Sequence, residues 1–489
     1  MLKLNRFTFV FVLFIGIVVL AFITTKAKVS SFTHDESYTY NAFVNDSFIN
    51  ILSYKNSYTN NHLLNTLMMK YAEIVFGNSE LALRLPNLLM LIVLFIYTIL
   101  VFKNKNYLVR ASVFIILITN TSLIDIFGLA RGYGISIAFM LMALYHLIKA
   151  IDKHDNTNDL ILFNSASLFA ILANFTMLDF YLAAIVTYTI TKWLEYKFIL
   201  TQPFRFFKIN KVNFLLFVPM FIVLYEPVRR VVTYNQFNFG GSTGFFADTI
   251  QSLVYALFSG IYVSEFASVI LKFFVVIIVL FSCALYAFKT FKRDIVFFEK
   301  NKSLLIVNLI IIFIFLEIIM QHLLLNTDYL VGRFALFLIP LFVINLGLLI
   351  NCALEQNLRN VFLGIISICA ISSMVNFFTK FDFYSCAEWG YDSNTKNAIL
   401  ELKKNYESDL SHSKNVKLQV NWLFEPTVNF YRKTLNLNWL QPVNRDTLSS
   451  VGNYYYIFNA DLEALKLNNY NLIYSGLQTN TVLIKNNNL

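Results

Sequence analysis

Charged residues, glycine and proline are all scarce in this 489-residue chain. Only 14% of its residues are charged and it has 15 glycines and 7 prolines, whereas 57% are hydrophobic and 51 are phenylalanine. A soluble domain carries about a quarter charged residues, so this composition excludes an ordinary soluble protein. With a mean hydropathy of +0.60, the chain is predicted to be an all-α polytopic membrane protein.

Cysteine is also scarce, and its four positions predict no site. Cys283, Cys352 and Cys369 lie in or beside apolar runs, and only Cys386 lies in a polar region. No pair predicts a disulfide, and no cluster has the spacing of a zinc site. The net charge of +10 does not indicate nucleic-acid binding, because Lys and Arg collect in the short loops expected on the cytoplasmic side.

About eleven apolar runs are long enough to cross a bilayer as helices. They fall near residues 7–24, 84–102, 107–125, 133–150, 159–174, 177–197, 212–232, 265–288, 303–325, 331–351 and 358–378. We interpret the first run as an uncleaved anchor rather than a signal peptide, because bulky residues follow it where a cleavage site needs small ones.

The distribution of Lys and Arg predicts a cytoplasmic N-terminus. Three segments then lie on the extracytoplasmic side: a long first loop at 25–83, a loop at 233–264 and a polar tail at 379–489. Within the first loop, apolar residues at helical spacing predict an interfacial helix over 61–76.

The tail differs in character from the membrane module at 1–378. The stretch WGYDSNTKNAILELKKNYES indicates a capped helix, and NVKLQVNWLF, NYYYIFNA and TNTVLIKN indicate strands. We therefore predict a small extracytoplasmic α/β domain over 379–489.

Two adjacent carboxylates, Asp35 and Glu36, follow the first membrane helix in the stretch SSFTHDESYTYN. A carboxylate at the edge of a membrane cavity can act as a general base on a hydroxyl group. The alternative is an ordinary solvated loop, and this motif alone does not decide between the two.

Arg131 and Tyr133 lie in the short second outer loop, within DIFGLARGYG. A guanidinium group binds phosphate through two charge-assisted hydrogen bonds, and the flanking glycines would let a ligand approach closely. The alternative for Arg131 is a side chain that snorkels from a helix end into the interface.

Further polar residues are expected on the same side of the membrane. Arg333 lies just inside the tenth helix, and His62 opens the interfacial helix, where a helix N-terminus favours anions. Capping of that helix by Asn60 or Asn61 and interface anchoring by Arg84 are the plainer interpretations of their positions.

The order of these pieces resembles the GT-C superfamily of membrane glycosyltransferases, in the branch of protein O-mannosyltransferases and bacterial aminoarabinose transferase. That family has an acidic motif soon after helix one, here Asp35-Glu36, and an Arg-x-Tyr in the second outer loop, here Arg131-Gly132-Tyr133. Its His-Pro-Pro element is similar to NHLL at 61–64, and its start of helix two is similar to FGNSELALRLP. Its later Arg-Tyr element is similar to RFALFLIP, with Phe334 in place of the tyrosine.

The resemblance implies the GT-C fold and a transferase that moves a hexose or pentose from a polyprenyl-phosphate donor to an acceptor hydroxyl, with inversion, on the extracytoplasmic side. It implies that Asp35 is the catalytic base and that Glu36 orients the acceptor or Asp35. It implies that four residues bind the donor phosphate: Arg131, Tyr133, Arg333 and His62.

The implied partners are the polyprenyl-phosphate sugar, the lipid bilayer and an acceptor that is a protein, a lipid or a polysaccharide. Some members of the superfamily bind a divalent metal near the acidic motif and others need none, and the sequence leaves both options open. The implied location is a bacterial inner membrane, with the C-terminus in the periplasm.

Two other functions remain open from the sequence. A transporter or flippase of lipid-linked saccharides fits the helix count and the cations, although transporters typically have repeated halves and ionisable or broken helices at the midplane. No repeat is visible, and Glu317 is the nearest candidate for a mid-membrane acid. A non-catalytic scaffold whose tail binds a partner would leave the clustered charges unexplained.

Overall fold

A computed structural model describes residues 2–56, 58, 60–152, 156–196, 203–234, 236, 240–292, 294–352, 356–408, 415–449, 452–465 and 469–487. Its first ten helices are α1 (Leu2–Val29), α2 (His34–Ala42), α3 (Phe48–Leu52), α4 (Leu63–Phe76), α5 (Glu80–Val101), α6 (Tyr107–Thr119), α7 (Thr121–Asp125), α8 (Gly132–Asp152), α9 (Thr157–Ala173) and α10 (Met177–Tyr196). The next six are α11 (Pro203–Thr233), α12 (Gln251–Leu257), α13 (Glu265–Phe291), α14 (Ile295–Leu325), α15 (Leu338–Asn351) and α16 (Gln356–Lys380).

Ten of the eleven predicted apolar runs each correspond to one α-helix, and the run near 107–125 corresponds to two, α6 and α7. Within the described residues, eight helices are long and apolar enough to cross a membrane, and a bent pair would make nine. That pair is α6 and α7, which meet at 60° at Asn120. The break follows from capping, because the Asn120 side chain accepts a hydrogen bond from Leu123 N at 2.9 Å and so starts a new helix. The protein is a multi-pass membrane protein.

The helices divide into a buried centre and an apolar outer surface. Most residues of α8 are buried, as expected of a helix that is apolar on all sides and surrounded by others. By contrast, α13 and α16 expose large apolar side chains such as Phe274, Leu280 and Ile368. Such surfaces suit contact with lipid rather than with water.

The first loop is largely helical and contains α2, α3 and α4. The helix predicted over 61–76 is present as α4, and its N-cap is His62, which makes no side-chain capping bond. Asn60 and Asn61 do not cap it either, so that interpretation is wrong. The Asn60 side chain donates to the carbonyl of Asp35 at 3.0 Å, and Asn61 accepts from Thr66 at 2.9 Å.

The C-terminal part is a small α/β unit, as predicted. It comprises α17 (Thr395–Ser408), β1 (Leu418–Val420), α18 (Glu425–Thr434), β2 (Tyr454–Phe458), α19 (Asn459–Leu465), β3 (Tyr470–Gly476) and β4 (Thr481–Asn486). The strand order is β1-β2-β4-β3, with β1 and β2 parallel and the other pairs antiparallel. The predicted strands correspond to β1, β2 and β4. Strand β3 was not predicted, because its residues are mostly exposed and lack a regular apolar alternation.

This unit packs directly against the first loop. The rings of Phe32 and Phe430 stack with centroids 4.2 Å apart, and Phe32 N donates to Tyr431 Oη at 2.8 Å. Lys396 also pairs with Glu80 at the start of α5, at 2.8 Å. The C-terminal unit therefore helps to set the position of α2, which carries the predicted acidic motif.

Candidate functional site

Helix α2 presents Asp35 and Glu36 from its first turn. The helix begins at His34 because Thr33 takes the N-cap position. Glu36 Oε2 accepts a hydrogen bond from Thr33 N at 2.9 Å, as in one half of a capping box. Successive residues on a helix point in different directions, so the two carboxylates have different surroundings.

Glu36 forms a fully buried ion pair with Arg84. Its Oε1 accepts from Arg84 Nε at 2.8 Å and from Ala130 N at 2.6 Å, and its Oε2 accepts from Arg84 Nη2 at 2.6 Å. Neither side chain has exposed surface. These donors fix the carboxylate in one orientation.

Arg84 ties the ion pair to the end of α1. Its Nη1 donates to the carbonyls of Ala27 and Ser30 at 3.1 Å, and its Nη2 donates to the carbonyl of Ser31 at 2.8 Å. The interpretation of Arg84 as an interface anchor is wrong, because the side chain is completely enclosed by protein. It joins α1, α2 and α5 instead.

Asp35 faces two arginine side chains from distant parts of the chain. Its Oδ2 lies 3.4 Å from Arg131 Nη2 and 3.4 Å from Arg333 Nη1. Only 16% of the Asp35 side chain is exposed. Both separations exceed the roughly 2.7–2.9 Å of a tight charge-assisted bond. The structure therefore brings together Asp35, Arg131 and Arg333, and it rules out the solvated-loop interpretation of the acidic motif.

Arg131 is buried and oriented by α2 and by the chain before α4. Its Nη1 donates to Thr39 Oγ1 at 3.1 Å and to the carbonyl of Asn60 at 3.0 Å. Among the described residues, its Nε has no hydrogen-bond partner. The snorkelling interpretation of Arg131 is wrong, because the guanidinium group points into the protein. An unpaired buried donor costs about 1–3 kcal/mol, so this Nε is available to a hydrogen-bond acceptor.

The backbone beside Arg131 requires glycine. A Cβ on Gly132 would lie 1.9 Å from the carbonyl oxygen of Ala173 and 2.8 Å from His62 Nδ1. We expect Gly132→Ala to lower the free energy of unfolding by about 1–3 kcal/mol or more, because backbone would have to move.

Thermal unfolding of the purified protein in detergent measures this effect. Gly364→Ala is the matched control, because a Cβ there meets nothing within 4 Å. Equal melting temperatures for the two variants would show that the close approach at Gly132 does not constrain the site.

Arg333 is held by the C-terminal unit. Glu388 accepts from Arg333 N at 2.9 Å and from its Nη1 at 3.0 Å, and the guanidinium carbon lies 5.0 Å from the centroid of the Trp389 ring. In the described part of the chain, Arg333 Nε is also buried without a partner. Sequence reasoning missed Glu388 and Trp389. The only signal was an acidic and aromatic pair in SCAEWGYD, soon after the last membrane helix.

His62 and Tyr133 pack together beneath the two arginines. Their ring centroids are 4.9 Å apart, and His62 Nδ1 donates to the carbonyl of Ala173 at 2.8 Å. Burial lowers the pKa of the His62 imidazole well below its usual value, and the charge of Arg131 lowers it further. The neutral ring then carries its proton on Nδ1, so Nε2 is a hydrogen-bond acceptor. Phosphate binding through a positive charge on His62 is therefore disfavoured.

Other polar residues near the helix ends serve packing. His322 stacks on Tyr329 with centroids 4.1 Å apart and bonds to the carbonyl of Thr327 at 2.7 Å. Asp328 accepts from Gly240 N at 3.1 Å. The part of the chain that the structure describes contains no group of three or more His, Cys, Asp or Glu residues that could hold a metal ion.

The fold is similar to solved membrane proteins, although sequence comparisons find nothing. No protein-family model matches the chain, and no curated protein matches it. The crystal structure of ArnT from Cupriavidus metallidurans bound to undecaprenyl phosphate has a TM-score of 0.54 and 12% identity, over 98% of this chain and 97% of that one. The apo form of ArnT has a TM-score of 0.56 and 11% identity over the same shares.

A weaker similarity, with a TM-score of 0.46 and 13% identity, is to the Archaeoglobus fulgidus oligosaccharyltransferase in complex with Zn and sulfate. It covers 96% of this chain and 73% of that one. The full-length similarity to ArnT confirms the predicted GT-C fold for this chain.

Proposed function

We infer that this protein is a membrane glycosyltransferase that moves a sugar from a polyprenyl-phosphate donor to an acceptor hydroxyl. The observation that carries this proposal is the contact of the Asp35 carboxylate with two guanidinium groups, each of which has a buried, unpaired Nε among the described residues. A base beside two phosphate-binding cations suits this reaction. The GT-C fold and the undecaprenyl phosphate bound to ArnT support it.

The transfer is a single displacement in this proposal. Asp35 takes the proton of the acceptor hydroxyl while its oxygen forms a bond to the anomeric carbon of the sugar. The bond from that carbon to the phosphate oxygen breaks, and its electron pair stays on the phosphate. The products are the glycosylated acceptor, with inverted configuration, and the free polyprenyl phosphate.

Arg131 and Arg333 would hold the phosphate and stabilise its developing charge. Arg131 Nη2 makes only a long contact with Asp35 among the described residues, and the buried Nε of each arginine has no partner there. Phosphate oxygens could then take up the Nη and unpaired Nε donors in a bidentate arrangement. Tyr133 lies against both groups, with the guanidinium carbons 5.8 Å and 5.9 Å from its ring centroid.

Glu36 and His62 act through other residues in this proposal. Glu36 orients Asp35, because it binds the backbone at the start of α2 and at Ala130, next to Arg131. His62 supports Tyr133 and the loop at Gly132, and it does not bind phosphate as a cation. The finer type of sugar, hexose or pentose, stays a prediction from the resemblance.

We expect Arg333→Lys and Arg131→Lys each to weaken the binding of polyprenyl phosphate about tenfold to a hundredfold. Lysine keeps the charge but loses the bidentate geometry, and a hydrogen bond to a charged group is worth about 1.5–3 kcal/mol. Titration of the purified protein with undecaprenyl phosphate measures the affinity, and turnover of a polyprenyl-phosphate sugar measures activity.

Arg229→Lys is the matched control, because Arg229 is an exposed arginine at the end of α11 that pairs with Glu226. Unchanged affinity in all three variants would remove the phosphate site from the proposal.

The transporter alternative has one observation in its favour. Asp179 Oδ1 accepts from Gln321 Nε2 at 2.7 Å, and Glu317, one turn earlier on α14, has a buried oxygen without a partner among the described residues. Buried acids in membrane helices often mark transport pathways. A flux assay in liposomes separates the two functions, because a transporter would move an intact lipid-linked saccharide without cleaving it.

We place the reaction on the extracytoplasmic side of the membrane, since the Lys and Arg distribution favours a cytoplasmic N-terminus. A cysteine introduced at the exposed Asn45 tests this orientation. It should react with a membrane-impermeant thiol reagent in intact cells, and protection of that cysteine would reverse the assignment.

A further inference from the structure

Aromatic side chains from four separate segments gather beside Asp35. We call this group the aromatic rim, and it consists of His34, Tyr38, Tyr58, Tyr391 and Trp422. Two of its members are well exposed, with 53% of Trp422 and 46% of Tyr58 accessible. A large aromatic side chain at the surface of a loop region is not needed to fill a core, so these rings are available to a ligand.

The rim is held in place by contacts between the first loop and the C-terminal unit. His34 Nδ1 donates to the carbonyl of Leu423 at 2.6 Å, next to Trp422. The His34 ring centroid lies 6.2 Å from that of Trp422 and 6.5 Å from that of Tyr391. Tyr38 and Tyr58 lie 5.0 Å apart. The rim therefore has a defined shape on both sides of α2.

An ion pair between Arg445 and Glu425 lies beside the rings of Tyr38 and Trp422. The Arg445 guanidinium lies 5.8 Å from the centroid of Tyr38 and 5.7 Å from that of Trp422. Its Nε donates to Glu425 Oε2 at 3.2 Å, and Asn429 donates to Glu425 Oε1 at 2.7 Å. The pair supplies planar hydrogen-bonding groups between two aromatic faces, but it adds no net charge.

The rim is continuous with the proposed reaction site. His34 directly precedes Asp35, and Tyr38 follows it by one turn of α2. Burial raises the pKa of the Tyr391 phenol, and the negative charges of Asp392 and Asp35 raise it further. The Tyr391 phenol therefore stays a neutral hydrogen-bond donor within the rim.

We propose that the aromatic rim is the acceptor subsite and that the acceptor is a carbohydrate, whose sugar rings stack on Trp422 and Tyr58 and present a hydroxyl to Asp35. This rests on the proposed transferase function and names the class of its acceptor. Sugar rings combine a C–H face, which packs on an aromatic ring, with hydroxyls that bond to planar polar groups. A phosphate-rich acceptor would need an uncompensated cation, and Arg445 is already paired with Glu425.

The test is binding of soluble oligosaccharides to the purified full-length protein. The probes are a panel built from hexoses, N-acetylhexosamines and uronic acids, with serine- and threonine-containing peptides for comparison. We expect the wild-type protein to bind at least one oligosaccharide, and Trp422→Ala to weaken that binding about tenfold or more. Trp422→Phe keeps an aromatic face and should retain most of the affinity.

Two controls show whether a loss of oligosaccharide binding comes from the rim itself. One tests for loss of folding and the other tests for damage to the proposed phosphate site. Tyr470→Ala removes a partly exposed ring from β3 in the same unit and should leave oligosaccharide binding unchanged. Binding of undecaprenyl phosphate should be unchanged in the Trp422 variants. An equal loss of both ligands in Trp422→Ala would overturn the rim as a separate subsite.

Three further results would also overturn it: no oligosaccharide binds, Trp422→Ala binds oligosaccharide normally, or the peptides bind at the rim instead. If oligosaccharides bind at the rim but the Arg131 and Arg333 variants bind undecaprenyl phosphate normally, the transferase proposal fails while the carbohydrate site stands.

Discussion

Asp35→Asn should lower turnover of a polyprenyl-phosphate sugar by about a thousandfold, within the range of roughly 10²–10⁴ that general-base catalysis contributes. Asparagine has nearly the same shape as aspartate but cannot take the proton of the acceptor hydroxyl. Expression and folding should not change, because among the described residues the Asp35 carboxylate makes two ion-pair contacts, both long at 3.4 Å.

In the same variant, we do not expect the affinity for undecaprenyl phosphate to fall with turnover. Removal of the Asp35 charge leaves Arg131 and Arg333 without this counter-ion, so undecaprenyl phosphate should bind as tightly as before or more tightly. A titration of the purified variant measures this affinity, and a donor-cleavage assay measures turnover. A general collapse of the site would instead weaken both.

Asp46→Asn is the control for Asp35→Asn. Asp46 lies in the same loop and accepts a hydrogen bond from Asn56 at 2.6 Å at an exposed position. It should keep wild-type turnover. Wild-type turnover by Asp35→Asn itself would remove the proposed mechanism.

Arg84→Met should lower the free energy of unfolding by about 3–5 kcal/mol, because it leaves the buried Glu36 carboxylate without its cation. Both partners have no exposed surface, and Arg84 makes six hydrogen bonds to Glu36 and to the end of α1. Thermal or denaturant-induced unfolding in detergent measures this loss. The defect should appear as instability and not only as slow turnover.

The double variant Arg84→Met, Glu36→Gln separates charge burial from packing. It should be more stable than Arg84→Met alone, since it no longer buries a lone charge. Arg229→Met is the control, because its ion pair with Glu226 is exposed, and it should not change the melting temperature measurably. Equal stability of Arg84→Met and the wild-type protein would show that the ion pair does not hold α1, α2 and α5 together.

Much of the candidate site was accessible from the sequence. Asp35, Arg131 and Arg333 are charged residues at the ends of apolar runs, where charge is costly unless it has a purpose. The positive-inside rule placed all three on one side of the membrane, and the structure brings them into contact. The ion pair between Glu36 and Arg84 could not be predicted from the sequence, because no local pattern links two residues 48 positions apart.

The contribution of the C-terminal unit to the candidate site could not be predicted from the sequence either. Glu388 and Trp389 look like ordinary surface residues in the sequence, and only the packing of the unit against α2 and the start of α15 brings them to Arg333. The same packing carries Trp422 to His34. No periodic pattern predicts contacts of this kind, because they depend on how two separately formed surfaces meet.

The sequence by itself determined the helical membrane module, its approximate helix boundaries and the charged positions at the ends of the apolar runs. It could do so because a bilayer requires long apolar helices, and that requirement is local. The tertiary structure alone decided that Asp35 faces Arg131 and Arg333. It also decided that Glu36 is buried in an ion pair with Arg84. Asp35 and Glu36 are neighbours in the chain, but the helical turn points them to different partners, and those partners arrive from α5, from the loop before α8 and from the chain just before α15.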